Sequence, residues 1–289
     1  MDFDFQRYIQ SRQREGGGGA ASAGSSYAYE GDRRVLRALG KARPVRAALE
    51  ASAKLTEGDL TALFGEAEAL EPAARERLEA SLARAAARLK APSPRLRVAR
   101  SLPGAAALAL VVAGEAVIVV DAAVGREAEA AALDFLLGRQ LGHLQQDHGA
   151  YLGALLALRR REGTVLAWAA KPAALALERW AEAGRLTADR AGLLACGDRD
   201  AAVGALIREA RGWAQGPWDQ LAAALEEGWE EEPPKDGALA ALAAVDPALP
   251  ARVRALLWFS EAAVFRAAQG QSGGEALSAI DRRVSGLTK

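Results

Sequence analysis

The chain carries few side chains able to do chemistry at neutral pH. Two histidines, His143 and His148, and one cysteine, Cys196, are all it has of the types that most readily take up protons, attack carbonyls or bind transition metals. The histidines lie five residues apart, which on one continuous helix separates them by about 140° around the axis. A nucleophilic thiol needs a base and an orienting group beside it; Cys196, in the apolar run LLAC, reads instead as buried and inert. There is no G-x-S-x-G elbow, and the glycine run at 16–19 lacks the strand and lysine of a phosphate loop. With 37 basic and 37 acidic side chains the formal net charge is zero, so no basic excess draws the chain to nucleic acid or anionic lipid. A lone cysteine permits no intrachain disulfide, and the N-terminal residues lack a basic-then-apolar signal pattern. The expectation is a cytoplasmic protein.

The elements that must position these residues follow from periodicity and punctuation. Residues 1–26 combine a short segment with Phe3, Phe5 and Tyr8 and a Gly/Ser-rich tract, which reads as a flexible tail or tether. From Tyr27 to Lys90 the pattern is helical, with Pro72 near the start of a helix whose Leu78, Leu82, Ala85 and Leu89 repeat at three and four. Short β-rich runs follow at Leu96–Ala99, Ala107–Val112 and Ala116–Val120. The most apolar window, Leu102–Val124, is broken at Gly114-Glu115, so it predicts a hairpin rather than a membrane span. Helices are then expected from Arg126 through Gly149 and beyond, and at Pro172–Cys196, Asp198–Arg211, Trp218–Gly228 and Pro250–Ala268, with a solvated acidic loop at EEGWEEEPPKDG and a short C-terminal helix or tail over 271–289. The order helices, small sheet, helices indicates one predominantly helical α+β domain over 27–270.

Two segments carry a resemblance. LDFLLGRQLGHLQQDH, Leu133–His148, has the setting of a helix in which zinc peptidases place H-E-x-x-H, two histidines on one helix face that share a metal with a glutamate as general base. Arg139 stands at the first histidine, Gln140 at the glutamate, and His143 is kept. RWAEAGRLTADRAGLLACGD, in turn, resembles the helix that brings the third zinc ligand in HtpX-like metallopeptidases, with Arg185 at the ligand glutamate and Asp189 at the aspartate four residues later. Asp246-Pro247 and Arg252 occupy the places of that family's His-Pro and arginine. The chain therefore looks like a degenerate HtpX-like zinc metallopeptidase over about Tyr27–Ala268.

The resemblance implies a metallopeptidase-like helical domain, a small sheet whose edge strand aligns substrate, and, in the family, zinc. Two of the substituted positions are arginines, which have no lone pair to give a metal. The expectation is a bacterial pseudo-peptidase without zinc or another cofactor. It has no catalytic residues and a relic site at Arg139, Gln140, His143, Arg185, Asp189, Asp246 and Arg252, and it binds a protein or peptide partner rather than nucleic acid or a membrane. The alternative is a zinc metalloendopeptidase with an atypical site. Because the family's aspartate faces the first zinc histidine, Arg139 is expected to form an ion pair with Asp189, with Arg185 sharing that carboxylate or leaving the cleft. Glu182 or a bound anion is expected to offset the surplus positive charge.

Overall fold

The computed structural model describes residues 26–102, 104–159, 165–211 and 246–287. Four helices come first: α1 (Glu30–Leu39), α2 (Arg43–Ser52), α3 (Glu57–Phe64) and α4 (Pro72–Leu89). A capping box starts α3, where Thr56 accepts from the Asp59 backbone and Asp59 accepts in return. Pro72 sits in the first turn of α4, where its missing N–H costs nothing. Strands β1 (Arg95–Ala99), β2 (Ala107–Val112) and β3 (Glu115–Asp121) follow, then α5 (Ala122–Glu127), α6 (Ala130–Gln145), α7 (His148–Arg159), α8 (Val165–Cys196), α9 (Arg199–Arg211), α10 (Leu249–Ser260), α11 (Ala263–Ala268) and α12 (Leu277–Leu287). The fold is a predominantly helical α+β arrangement with one small mixed sheet. Among the described residues, no helix is long and apolar enough to cross a membrane.

The sheet has the order β1-β3-β2, with β1 parallel and β2 antiparallel to the central strand. The hairpin expected around Gly114-Glu115 forms, and Ala113 and Gly114 both take positive φ at its tip. That is the two-residue turn whose twist matches the strands. β2 is the edge strand. Asp121 N donates to Ala106 O, so Leu108, Leu110 and Val112 exchange bonds with β3 while Ala107, Ala109 and Val111 turn their backbone groups outward.

The core is organised around α6, which packs on α8, α4, α9 and β2. Every residue from Ala132 to Leu144 is buried, so this helix shows no amphipathic stripe. Its approach to α8 is set by small residues. A Cβ added to Gly138 would lie 2.3 Å from Ala195 Cβ, one on Gly142 2.4 Å from Ala191 Cβ, and one on Gly192 2.6 Å from Arg139 Cγ. At the far end of α8, Arg88 Nη1 donates to the Ala195 and Cys196 carbonyls at 2.8 and 2.7 Å, capping otherwise orphaned acceptors.

The helices differ from the sequence expectation in four places. A helix begins at Ala122, capped by Asp121, whose side chain accepts from Ala123 N. The single helix expected from Arg126 through Gly149 is three: the chain breaks between Glu127 and Ala130, and again at Gln146-Asp147, where Asp147 has φ 58°. The helix expected from Pro172 begins at Val165 and runs through that proline, giving up one backbone bond on an exposed turn. Pro250–Ala268 is divided at Glu261-Ala262, where Ala262 bridges to Glu275. The helix expected at Trp218–Gly228, the acidic loop after it and most of the N-terminal tail lie outside the described residues.

The glycine contacts give a test with an internal control. Gly138→Ala and Gly142→Ala should each destabilise the protein by about 1–3 kcal/mol through overpacking, against a helix propensity that favours alanine. Gly204→Ala, in α9 with nothing within 4 Å of the added Cβ, should be neutral or stabilising. Denaturant unfolding of the three variants checks this, and equal responses at Gly138 and Gly204 would contradict it.

Candidate functional site

A cavity of about 760 Å³ opens between the edge strand and the helices. Ala107 and Leu108 of β2 line it together with Phe64, Leu102, Leu152, Leu155 and Leu156 on its apolar side, and with Arg139, Gln140, His143, Glu178, Glu182, Arg185, Glu209, Asp246, Pro247 and Arg252 on its polar side. Six of the seven expected relic-site residues thus border one space. The seventh, Asp189, is buried behind them and holds them together.

Asp189 accepts a two-pronged contact from Arg252, Nε to Oδ2 and Nη2 to Oδ1, both at 2.9 Å. Arg139 Nε stands 2.8 Å from Asp189 Oδ1, as the sequence reading expects. Its N–H is not aimed at that oxygen, so the contact is an ion pair rather than a hydrogen bond. The well-directed bond of Arg139 runs from Nη1 to Glu209 Oε2 at 2.6 Å, and Arg252 Nη2 lies 3.6 Å from the same oxygen. Asp246 Oδ2 is 3.5 Å from Arg252 Nη1. The two arginines and Asp189 are almost wholly enclosed, at 5, 6 and 2 % side-chain exposure, so the pairing is needed to hold these charges out of water. Burial works against ionising Glu209, but Arg139 and then Arg252 hold its carboxyl below the usual range. Burial likewise lowers Arg252, and Asp189, with Glu209 and Asp246, brings it above its ordinary value.

Three arginines (Arg139, Arg185, Arg252) thus lie with three carboxylates (Asp189, Glu209, Asp246), while Glu178 and Glu182 line the same cavity. The sequence reading looked for compensation to Glu182 or a bound anion; it comes from Glu209 and Asp246. Nor does Arg185 share Asp189 or leave the cleft. It lines the cavity and makes no ion pair among the described residues.

The histidines form a second network. Because α6 ends before His148, the chain turns and brings the two rings together, with Nδ1 to Nδ1 at 2.9 Å. This overturns the continuous helix on which the two were held 140° apart. His148 Nε2 lies 3.2 Å from Asp32 Oδ2, and Asp32 also accepts from Trp180 Nε1 at 2.8 Å and from Thr187 Oγ1 at 2.6 Å. Tyr29 N in turn donates to Thr187 Oγ1 at 3.1 Å. Burial would raise the Asp32 carboxyl, but the hydrogen bond and charge of His148, then Thr187 and Trp180, bring it below its ordinary value. His143 is pushed well below 6.5 by burial, then by His148, Arg139, Arg185 and Arg252. It is a neutral imidazole beside the cation cluster.

Cys196 plays no part. The close approach sets Ala195 beside Gly138 and Ala188 beside Gly142, so the thiol lies about 12 Å along α8 from the level of His143. Burial pushes its pKa up to about 11, and its Sγ contacts the Leu193 and Asp198 carbonyls. Glu209, Asp32, Trp180 and Thr187 were not singled out in sequence, and His148 was not expected to meet His143. The legible clue was His148 itself, the second of only two histidines. The chain matches no protein-family model, no curated protein and no solved structure.

Two outcomes follow from this geometry. Asp189→Ala should cost about 3 kcal/mol or more by stranding buried arginines, and a double-mutant cycle with Arg139→Met should show coupling of about 0.5–3 kcal/mol; additive losses would contradict the network. For His143, a depressed folded pKa means that the unfolded chain binds more protons below 6.5. Its contribution is therefore complete above that pH and is lost as the pH falls below it. His143→Gln should make the decline in unfolding free energy from pH 7 to pH 5.5 shallower, and an unchanged slope would contradict this.

Proposed function

We propose that the chain is a degenerate HtpX-like metallopeptidase, a pseudo-peptidase that binds an extended peptide in its cleft without hydrolysing it. The observation that carries the reading is the pairing of Arg139. At the position of a metal-binding histidine stands a guanidinium held between Asp189 and Glu209, and a cation there repels a second cation as well as lacking a lone pair. The donor set does not fit zinc. Arg139 and Arg185 have no lone pair to give, which leaves His143 as a single nitrogen donor, and Gln140 cannot take a proton from water at neutral pH. Peptide binding draws support from the edge strand β2, whose Ala107 and Leu108 line the cavity beside an apolar wall, since a sheet edge at a cleft is where an extended segment can dock. A cytoplasmic location and a peptide or protein partner belong to the same proposal.

The competing reading is an active zinc peptidase with an atypical site, and hydrolysis separates the two. Full-length protein, supplied with zinc, should cleave fluorogenic denatured casein no faster than its His143→Ala variant, and a chelator should change nothing. Elemental analysis after metal-free purification should find well under one zinc per chain. Chelator-sensitive cleavage that disappears in His143→Ala, with stoichiometric zinc, would overturn the proposal.

A further inference from the structure

Of the three arginines bordering the cavity, two are engaged: Arg139 by Asp189 and Glu209, and Arg252 by Asp189 in a bidentate pair. Arg185 makes no ion pair among the described residues, although its side chain reaches solvent through the cavity. Much of the volume around it is nevertheless protein. Burial and then the charge of Arg252 lower its pKa, and the opposing pull of Asp246 does not cancel them. The guanidinium is thus a cation in a partly desolvated place, beside other charges, with donors directed at no acceptor among the described residues. A planar carboxylate is the ligand that such a fork matches in shape and sign.

We propose that Arg185 anchors a carboxylate, and that the cleft takes a short apolar peptide whose free C-terminus ends at this guanidinium. This rests on the reading of the cleft as a peptide site and names its ligand. Three features select the ligand class. The rest of the accessible wall, with Leu108, Leu152, Leu155 and Leu156, is aliphatic and suits apolar side chains. Glu182 and Glu178 line the same cavity one and two turns back along α8, which favours a single negative charge over a phosphate and sets the ligand's more positive part toward them. The charges of Arg252 and Asp246 act on Arg185, so its surroundings are charged rather than apolar, which suits a chain that stops there.

The test uses the full-length protein and three matched sets of synthetic heptapeptides randomised over Val, Leu, Ile and Ala. One set ends in a free acid, one in an amide, and one in an amide with a single internal aspartate. Affinity selection read by mass spectrometry should retain free acids at least about tenfold over amides, the scale of one charge-assisted contact. Arg185→Gln should abolish that preference at unchanged melting temperature, and Arg185→Lys should restore part of it. Free acids and amides retained alike, or a preference that survives Arg185→Gln, would overturn the carboxylate anchor while leaving peptide binding intact. Internal aspartate peptides retained as well as free acids would overturn the C-terminal assignment. Retention of none of the sets would overturn both the anchor and the peptide-binding reading.

Discussion

The close approach of α6 and α8 is the constraint on which the rest depends. Gly138 and Gly142 on one helix meet Ala195, Ala191 and Ala188 on the other at distances that leave no room for a side chain on the glycines. With the backbones this near, the Arg139 side chain lies over Gly192 and reaches Asp189 with its guanidinium. A larger residue at 192 would lift Arg139 away from its partner, so the ion pair is a consequence of backbone packing as much as of charge. The same packing makes α6 wholly buried at its centre. Arg139 and His143 on it therefore have to find partners inside the protein.

Those partners divide into two networks of different character. Around Asp189 the groups are ionised, and each charge is tolerated because an opposite one lies within hydrogen-bonding distance. Around Asp32 one carboxylate gathers His148, Trp180 and Thr187, and so ties α1 to the α6–α7 corner and to α8. His143 joins the two. It touches His148 on one side and feels the arginines on the other, and both influences, added to burial, disfavour its protonated form. The second network thus sets against the cations a ring that contributes hydrogen-bonding capacity without contributing charge.

The sequence made the general arrangement legible and the local breaks illegible. The three strands and the hairpin followed from β-rich runs and turn residues, and the Arg139–Asp189 pair from the resemblance of two segments to a family's site. The break at Gln146-Asp147 did not. No glycine or proline marks it, and an aspartate in the left-handed region is a conformation that the residue type tolerates but does not announce. That single turn brought His148 onto His143 and created a network that helical geometry alone excluded. Glu209 was hidden for another reason. A charged residue on a helix usually faces water, and nothing in the sequence around it shows that α9 turns this one toward two buried arginines.

The mutual pairing also explains why this site is not one substitution away from a metal centre. A histidine at position 139 would leave Arg185 and Arg252 beside the vacated space, and their positive charge would still oppose a divalent cation. A glutamate at position 185 would supply a donor, but Arg139 and Arg252 would be its nearest counter-charges and would compete with any metal for it. A change at Arg252 would strip the bidentate partner from Asp189 and leave that buried carboxylate to Arg139 alone. Arg139 and Arg252 share Asp189 and Glu209, so changing one position adds a ligand while leaving positive charge against the ion. The cluster thus resists single substitutions, because each of its paired charges depends on the others.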